Sequence, residues 1–131
     1  MQGLYSQKLP MNKYFALILL VLYSNIASAD YQYFSESDFS LWYADLSSLR
    51  KNGDIVNLWA YQNFRKPQAG MLSARQKIEI NCMQEMYKTV YMQSFSQRDL
   101  GSISDSFETN EKYAPIAPDS PMNTLRKLAC K

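Results

Sequence analysis

The 131-residue chain has the length of one domain, and its charge is balanced once the first 29 residues are set aside. The 14 basic residues include Lys8 and Lys13, whereas all 12 acidic residues lie from Asp30 onward. A neutral body lacks the electrostatic footprint of a surface that binds nucleic acid or anionic lipid. Histidine is absent, which removes the usual general base near neutral pH and the commonest metal ligand. We therefore expect no nucleic-acid partner, no metal and no cofactor.

The first 29 residues have the pattern of a secretory signal peptide with an upstream extension. Residues 1–10 show no periodicity, and Met11 is the expected start of translation. Lys13 supplies a positive charge, residues 14–23 an apolar core, and Ala27-Ser28-Ala29 a small-x-small cleavage site. A membrane-spanning helix is the alternative, but it needs about 20 apolar residues, more than this run contains.

We predict cleavage between Ala29 and Asp30, which leaves an exported chain without a membrane span. No cysteine lies near the cleavage site, so a lipid anchor on the first mature residue is not expected. The predicted location is the periplasm or the secreted fraction, with the cell surface as the further alternative.

The N-terminal part of the mature chain predicts a lead-in arm followed by a hairpin. Residues 30–38 are acidic, aromatic and unpatterned, and we interpret them as the arm that precedes a domain over residues 39–131. Residues 39–49 predict a strand in which Trp42, Ala44 and Leu46 lie on one face. A turn at residues 50–54 follows, because Asn-Gly is the strongest short hairpin signal. Residues 55–64 are apolar on both faces and predict a central strand.

The next strands form the part of the sheet that we expect the mature chain to be built around. Residues 65–72 contain Pro67 and Gly70 and are predicted to be a loop. In residues 73–82 the side chains of Ile78, Ile80 and Cys82 alternate with polar ones, which indicates a half-buried strand. Residues 86–95 are rich in β-branched and aromatic side chains and predict its partner.

The C-terminal part predicts weak strands and one helix. Residues 99–102 are a turn, residues 103–110 a marginal strand, and residues 112–116 an edge strand that tolerates Pro115. Ser120-Pro121 is a helix N-cap followed by proline at the first helical position. The apolar stripe of the helix consists of Met122, Leu125, Leu128 and Ala129. The fold class is therefore α+β: an antiparallel sheet with a C-terminal α-helix.

The two cysteines, Cys82 and Cys130, predict one structural disulfide, because an exported chain with two cysteines allows a single pairing. The bond would tie the terminal helix to one face of the sheet. A redox or nucleophilic cysteine is the alternative, but it calls for a Cys-x-x-Cys pair or a nearby histidine.

No residue pattern favours catalysis. Asp45 with Asp54, or Glu79 with Glu85, are the carboxylate pairs that acid–base chemistry would use, yet each is better explained as a solvated charge. We expect no enzymatic activity.

The aromatic content is the remaining functional signal. A strand as apolar as residues 55–64 needs cover on both faces, which the helix and the loops or the arm would supply. The alternative is an exposed aromatic surface for partner binding or dimerisation. Its candidate residues are Trp59, Tyr61, Tyr87 and Tyr91.

Several landmarks recur along residues 41–131, namely Trp42, Tyr43, Asp45, Ser47, Ser48, Arg50, Gly53, Trp59, Ser73, Arg75, Pro118 and Ser120, together with the Ile78–Cys82 strand and the closing Cys130-Lys131. In this combination the chain resembles the surface-adhesin protein E family of Gram-negative bacteria. Tyr113 stands where the family usually has a tryptophan.

The resemblance implies an antiparallel sheet with a C-terminal helix disulfide-tied to its concave side. It also implies a non-enzymatic surface protein that tends to form homodimers and binds protein partners, namely host extracellular-matrix or serum proteins. The alternative function is that of a periplasmic inhibitor, of the lysozyme-inhibitor kind, or of an accessory subunit of an envelope or secretion complex.

Overall fold

The computed structural model describes residues 29–131, which form one antiparallel sheet and one helix. The predicted signal peptide lies outside the described residues, apart from the exposed Ala29 that would end it. The strands are β1 (Gln32–Glu36), β2 (Ser40–Asn52), β3 (Ile55–Gln68), β4 (Met71–Asn81), β5 (Met86–Phe95), β6 (Ile103–Glu108) and β7 (Ala114–Pro115), and the helix is α1 (Pro121–Ala129). The predicted α+β fold is confirmed.

The sheet is a meander in which β1 to β6 pair in sequence order. β7 pairs with β5 at Met86 and Tyr87, whereas β6 pairs with β5 at residues 91–95, so both lie along the same edge of β5. Between them the Glu111 carboxylate accepts a hydrogen bond from the Thr89 amide (3.1 Å). The side chain thus satisfies a backbone donor where neither strand reaches.

The β2–β3 hairpin has a two-residue turn at Gly53-Asp54, since Asn52 pairs with Ile55. Among residues 29–131 the residues with positive φ include Gly53 (+63°) but not Asp54, which is the pattern of a type II′ turn. The predicted turn position is therefore confirmed, but Asn52 belongs to the strand.

The loop predicted at residues 65–72 is wrong, because the β3–β4 hairpin continues through it. Gln68 pairs with Met71, and both residues of the intervening turn, Ala69 and Gly70, have positive φ. Pairing is irregular between Asn63 and Gln68, the stretch that contains Pro67. A proline without an N–H is tolerated where the ladder is already interrupted.

The segment interpreted as a lead-in arm, residues 30–38, contains strand β1. Gln32 pairs with Ala44 and Tyr33 with Tyr43, so the segment adds an edge strand to the sheet. A bulge between Tyr33 and Ser35 interrupts the alternation of side chains along β1. This break in the period of two is why the sequence pattern gave no strand signal.

The hydrophobic core lies between α1 and one face of the sheet, here called the inner face. Val56, Leu58, Ile78 and Ile80 from the central strands are almost completely buried against Leu125 of the helix. The burial of Ile78 and Ile80 confirms the alternation predicted for β4. Within residues 29–131 no helix is long and apolar enough to cross a membrane.

The helix is held at both ends. The Ser120 hydroxyl accepts a hydrogen bond from the Asn123 amide (3.3 Å), and Pro121 occupies the first helical turn, as predicted. At the other end the Cys82–Cys130 disulfide is formed, 48 residues apart in sequence. Lys51 donates a hydrogen bond to the carbonyl of Lys131, so the chain end also contacts β2.

Removing the disulfide should loosen α1 from the inner face. A Cys82→Ser/Cys130→Ser variant loses a tether worth about 4 kcal/mol for a loop of this length. A nine-residue helix is unstable alone. We expect stronger binding of a hydrophobic dye and faster hydrogen exchange at the amides of residues 125–129.

The amides of β3 and β4 serve as the internal control, because they remain in the ladder of the central strands. Equal protection of residues 125–129 with and without the disulfide would show that packing alone holds the helix.

Candidate functional site

The sheet face opposite α1, here called the outer face, carries rows of aromatic and charged side chains. Neighbouring strands align Tyr33, Tyr43, Tyr61 and Arg75 in one row. The next row aligns Asp45, Trp59, Lys77, Tyr91 and Glu108 across β2 to β6. A short helix on the inner face cannot cover these side chains.

Four tyrosines pack against one another at the β1–β3 end of the outer face. Tyr43 and Tyr61 are stacked, with ring centroids 4.6 Å apart. Tyr31 contacts Tyr61 edge-on at 4.9 Å, and Tyr33 contacts Tyr43 edge-on at 5.9 Å. Such pairs add about 0.5–1.5 kcal/mol beyond the burial of area, so the cluster orders these side chains without covering them completely.

The tyrosine cluster is anchored to the β5–β6 loop through Asp99. The Asp99 carboxylate accepts hydrogen bonds from the Tyr61 hydroxyl (3.2 Å) and the Asn63 amide group (2.8 Å). The Asn63 side chain accepts in return from the Asp99 backbone amide (2.9 Å). Asp99 has positive φ, so these bonds hold the loop in a conformation that is uncommon for a side chain other than glycine. Burial and the Asp99 carboxylate raise the pKa of Tyr61 well above its ordinary value.

A groove of about 460 Å³ opens beside this cluster and is the candidate binding site. It is lined by Trp59, Arg75, Lys77, Val90, Tyr91 and Glu108. The Arg75 guanidinium carbon lies 4.4 Å from the centre of the Trp59 ring, a cation–π contact. Tyr91 meets the same indole edge-on at 5.7 Å.

The predicted exposed aromatic surface is corrected in two residues, since Tyr61 lies on the outer face but is buried, with only 8% of its surface exposed, and Tyr87 lies on the other face. The outer face brings together Trp59, Tyr61 and Tyr91, but Tyr87 lies on the inner face and packs against the hydrophobic core. Tyr87 instead lines a second pocket of about 260 Å³, beside the start of α1. The register shift between Lys77 and Ile78 explains the difference, because it separates the two tyrosines of β5 onto opposite faces.

Most family-motif residues of β2 build a bulge. Pairing with β3 is interrupted between Asp45 and Arg50. The Asp45 carboxylate accepts from the amide and hydroxyl of Ser47. The Ser48 hydroxyl donates to the Asp45 carbonyl (2.6 Å) and accepts from the Trp59 amide (2.9 Å).

The bulge changes which side chains reach the core. Simple alternation from Trp42 and Ala44 places Leu46 on the inner face, but Leu46 is exposed and Leu49 packs against the core instead. The prediction for Leu46 is therefore wrong, because the bulge shifts the alternation along the strand. The Arg50 guanidinium closes the bulge by donating to the carbonyls of Ser47 and Leu49.

The other motif residues also have structural roles. Trp42 packs against the core, and Gly53 occupies the positive-φ position of the β2–β3 turn. The buried Ser73 hydroxyl donates to the Gln97 carbonyl (2.6 Å) and accepts from the Leu100 amide (3.1 Å). The Pro118 carbonyl accepts from the Asn123 side chain at the helix start (2.5 Å).

The carboxylates considered for catalysis have separate structural roles, and Asp45 is buried in the β2 bulge rather than solvated as expected. Glu79 pairs with Lys88 (3.5 Å) and accepts a hydrogen bond from the Tyr113 hydroxyl, whereas Glu85 pairs with Arg126 (3.4 Å). Burial, ahead of the Glu79 contact, raises the pKa of Tyr113 to about 12. Residues 29–131 contain no group of three or more acidic, cysteine or histidine residues placed to hold a metal ion.

Reasoning from the sequence did not select Arg75, Lys77 or Glu108 as site residues. Arg75 appeared only as a family landmark, because a charge on a half-exposed strand is ordinarily solvated. The available signal was alternation, which places Arg75 and Lys77 on one face of β4. Their position beside Trp59 and Tyr91 depends on the register of three strands.

Fold and site together define a small domain with one sheet, a terminal helix tied by a disulfide, and an open aromatic groove. The family model of surface-adhesin protein E matches residues 31–131, and the chain therefore belongs to this family. The matched range includes the segment that forms β1. A search of curated protein sequences found no significant match.

Solved structures of protein E from Haemophilus influenzae have the same fold. One superposes with a TM-score of 0.58 at 15% identity, over 79% of this chain and 86% of the other. A second crystal form gives a TM-score of 0.55 at 16% identity, over 79% of this chain and 89% of the other. A structure of protein E from the non-typeable bacterium gives 0.55 at 15% identity, over 81% and 78%.

Replacing Ser48 should destabilise the protein through the bulge. Ser48→Ala leaves the Trp59 amide without its acceptor. Loss of one partner from this partly buried pair should cost about 1 kcal/mol, the low end of the range for a buried group, which urea unfolding would measure. Ser106→Ala on the exposed part of β6 is the matched control and should change stability by less than about 0.5 kcal/mol. Equal stability of the two variants would contradict the role assigned to Ser48.

The raised pKa of Tyr61 predicts alkaline destabilisation. A group whose pKa is higher in the folded state contributes stability below its unfolded pKa and loses it as the pH rises through the folded value. Stability should therefore fall above about pH 10, the ordinary tyrosine value. Tyr61→Phe should reduce this fall, as measured by urea unfolding at a series of pH values. An unchanged pH dependence in Tyr61→Phe would contradict this assignment.

Proposed function

We propose that this protein is an exported, non-enzymatic binding protein of the adhesin type, whose outer-face groove binds a protein partner. The membership of the surface-adhesin protein E family supports the class of function. The observation that carries the proposal is the groove of about 460 Å³ where Trp59, Arg75 and Tyr91 meet. By the family resemblance, the partners are host extracellular-matrix or serum proteins.

The chemistry of the groove suits recognition of a protein. Tryptophan, tyrosine and arginine are the residue types that most often dominate binding energy at interfaces. Here Trp59 is already in contact with Arg75 and Tyr91. Side chains that are ordered before binding lose less conformational entropy when the partner arrives.

The β6 edge offers a second surface, suited to a homodimer. Within residues 29–131, no strand pairs with the edge of β6 that points away from β5. Ile103 and Phe107 of this strand are exposed large apolar residues. Unpaired edges of this kind favour pairing with another strand. Sedimentation measurements on the purified protein would determine the oligomeric state before binding is measured.

Cell-surface display separates the adhesin from the periplasmic alternative. Protease treatment of intact cells should release fragments of an adhesin, whereas a periplasmic inhibitor or accessory subunit would appear only after osmotic shock. A protein that is never shaved from intact cells would therefore contradict the surface role and favour the alternative.

Truncation of the groove aromatics should weaken partner binding. Trp59→Ala and Tyr91→Ala should each reduce binding to immobilised basement-membrane extract or serum proteins about tenfold or more, the scale of an interface hot spot. Met83→Ala, at the exposed β4–β5 turn, is the matched control and should bind normally. Circular dichroism would verify that each variant is folded. Binding by both groove variants equal to that of Met83→Ala would exclude the groove as the interface.

A further inference from the structure

The outer-face groove contains two positive charges and one carboxylate, and none of the three forms an ion pair within the described residues. Arg75 and Lys77 both line it, and neither is in any ion pair formed within residues 29–131. The Nε–H of Arg75 is buried and has no acceptor in the same part of the chain. Buried donors in native proteins are ordinarily paired, so an unpaired one calls for an explanation.

The indole of Trp59 makes Arg75 a ready anion site. The guanidinium lies on the ring, at 4.4 Å from its centre, and is therefore held in one orientation rather than free in solvent. A planar guanidinium offers a fork of N–H groups that matches a carboxylate. The Lys77 ammonium on the same face of β4 adds a second positive charge.

The rest of the groove differs from a simple anion site. Glu108 contributes a negative charge from β6, and this carboxylate is also in no ion pair of the described chain. Val90 and Tyr91 add apolar surface. A bare anion offers Glu108 no hydrogen-bond donor, whereas a sugar ring carries hydroxyl groups that donate to a carboxylate and C–H groups that pack on an aromatic ring.

We propose that this groove binds a carboxylate-bearing sugar residue. Arg75 and Lys77 bind the sugar carboxylate, Glu108 accepts hydrogen bonds from ring hydroxyls, and Tyr91 packs against the ring. Trp59 is a positioning residue that orients Arg75. A groove of about 460 Å³ is within the range of small-molecule sites and holds roughly one or two sugar rings. The proposal rests on the proposed function, since it names the part of a glycosylated partner that the groove recognises.

The test uses the exported protein with its disulfide intact, titrated with four probes and followed by amide NMR shifts and tryptophan fluorescence. Sialyllactose and a hyaluronan tetrasaccharide carry the two common sugar acids, sialic acid and glucuronic acid. Lactose is the neutral control, and acetylated triglutamate amide is the acidic-peptide control. We expect saturable changes around Trp59 and Tyr91 with at least one acidic sugar and none with lactose.

Variants separate the contributions. Arg75→Lys keeps the positive charge but removes the paired N–H groups of the guanidinium, whereas Lys77→Gln removes a positive charge. Each variant should weaken sugar binding about tenfold, the effect of losing one charge-assisted hydrogen bond. Lys127→Ala removes an exposed charge from α1 and should have no effect. Glu108→Ala removes the acceptor together with the negative charge, so an acidic sugar should bind more weakly relative to triglutamate than it does in the unchanged protein.

Acidic sugars that bind no better than lactose would overturn the proposal. So would equal binding of triglutamate with no change of that ratio in Glu108→Ala, which would identify an acidic peptide as the ligand. Failure of the proposed function is distinguishable from these results. If sialidase and hyaluronidase leave binding to serum proteins intact while Trp59→Ala abolishes it, protein binding stands and the sugar assignment fails.

Discussion

A single sheet has two faces, and in this protein the nine-residue helix α1 packs on only one of them. The inner face therefore becomes a core, with Leu58, Ile78 and Ile80 excluded from solvent beneath Leu125. A helix this short is unstable in isolation. The Cys82–Cys130 bond and the Ser120 cap compensate for that, since they act at its two ends.

The outer face is stabilised by a different means. Its side chains cover one another, through the stacking of Tyr43 on Tyr61 and of Arg75 on Trp59. Packing of this kind lowers the free-energy cost of exposing an aromatic face to solvent, because each ring still buries part of its apolar surface against a neighbour. It also leaves ordered rings and cations at the surface, which is the arrangement a binding site requires. Because the short helix covers only one face of the sheet, that face becomes the core and the other face remains as the candidate interface.

Irregularities in the strands decide which residues reach each face. The bulge at Asp45–Ser48 returns Leu49 to the core, and the shift after Lys77 separates Tyr87 from Tyr91. In both cases the period of two is broken at one place and resumes beyond it. The motif residues Asp45, Ser47 and Ser48 are best understood in these terms, because their side chains replace the ladder hydrogen bonds that the bulge removes.

The amino-acid sequence by itself determined those features that depend on neighbouring residues. The alternation at Ile78 and Ile80 specified a half-buried strand, Ser120-Pro121 specified where the helix begins, and two cysteines allowed one pairing. Only the tertiary structure decided features that depend on register. No local pattern places Arg75 over Trp59, which is sixteen residues away in the sequence, or brings Glu108 to the same groove. Those contacts arise because β3, β4, β5 and β6 pair in one alignment, and a shift of one residue would send each side chain to the opposite face.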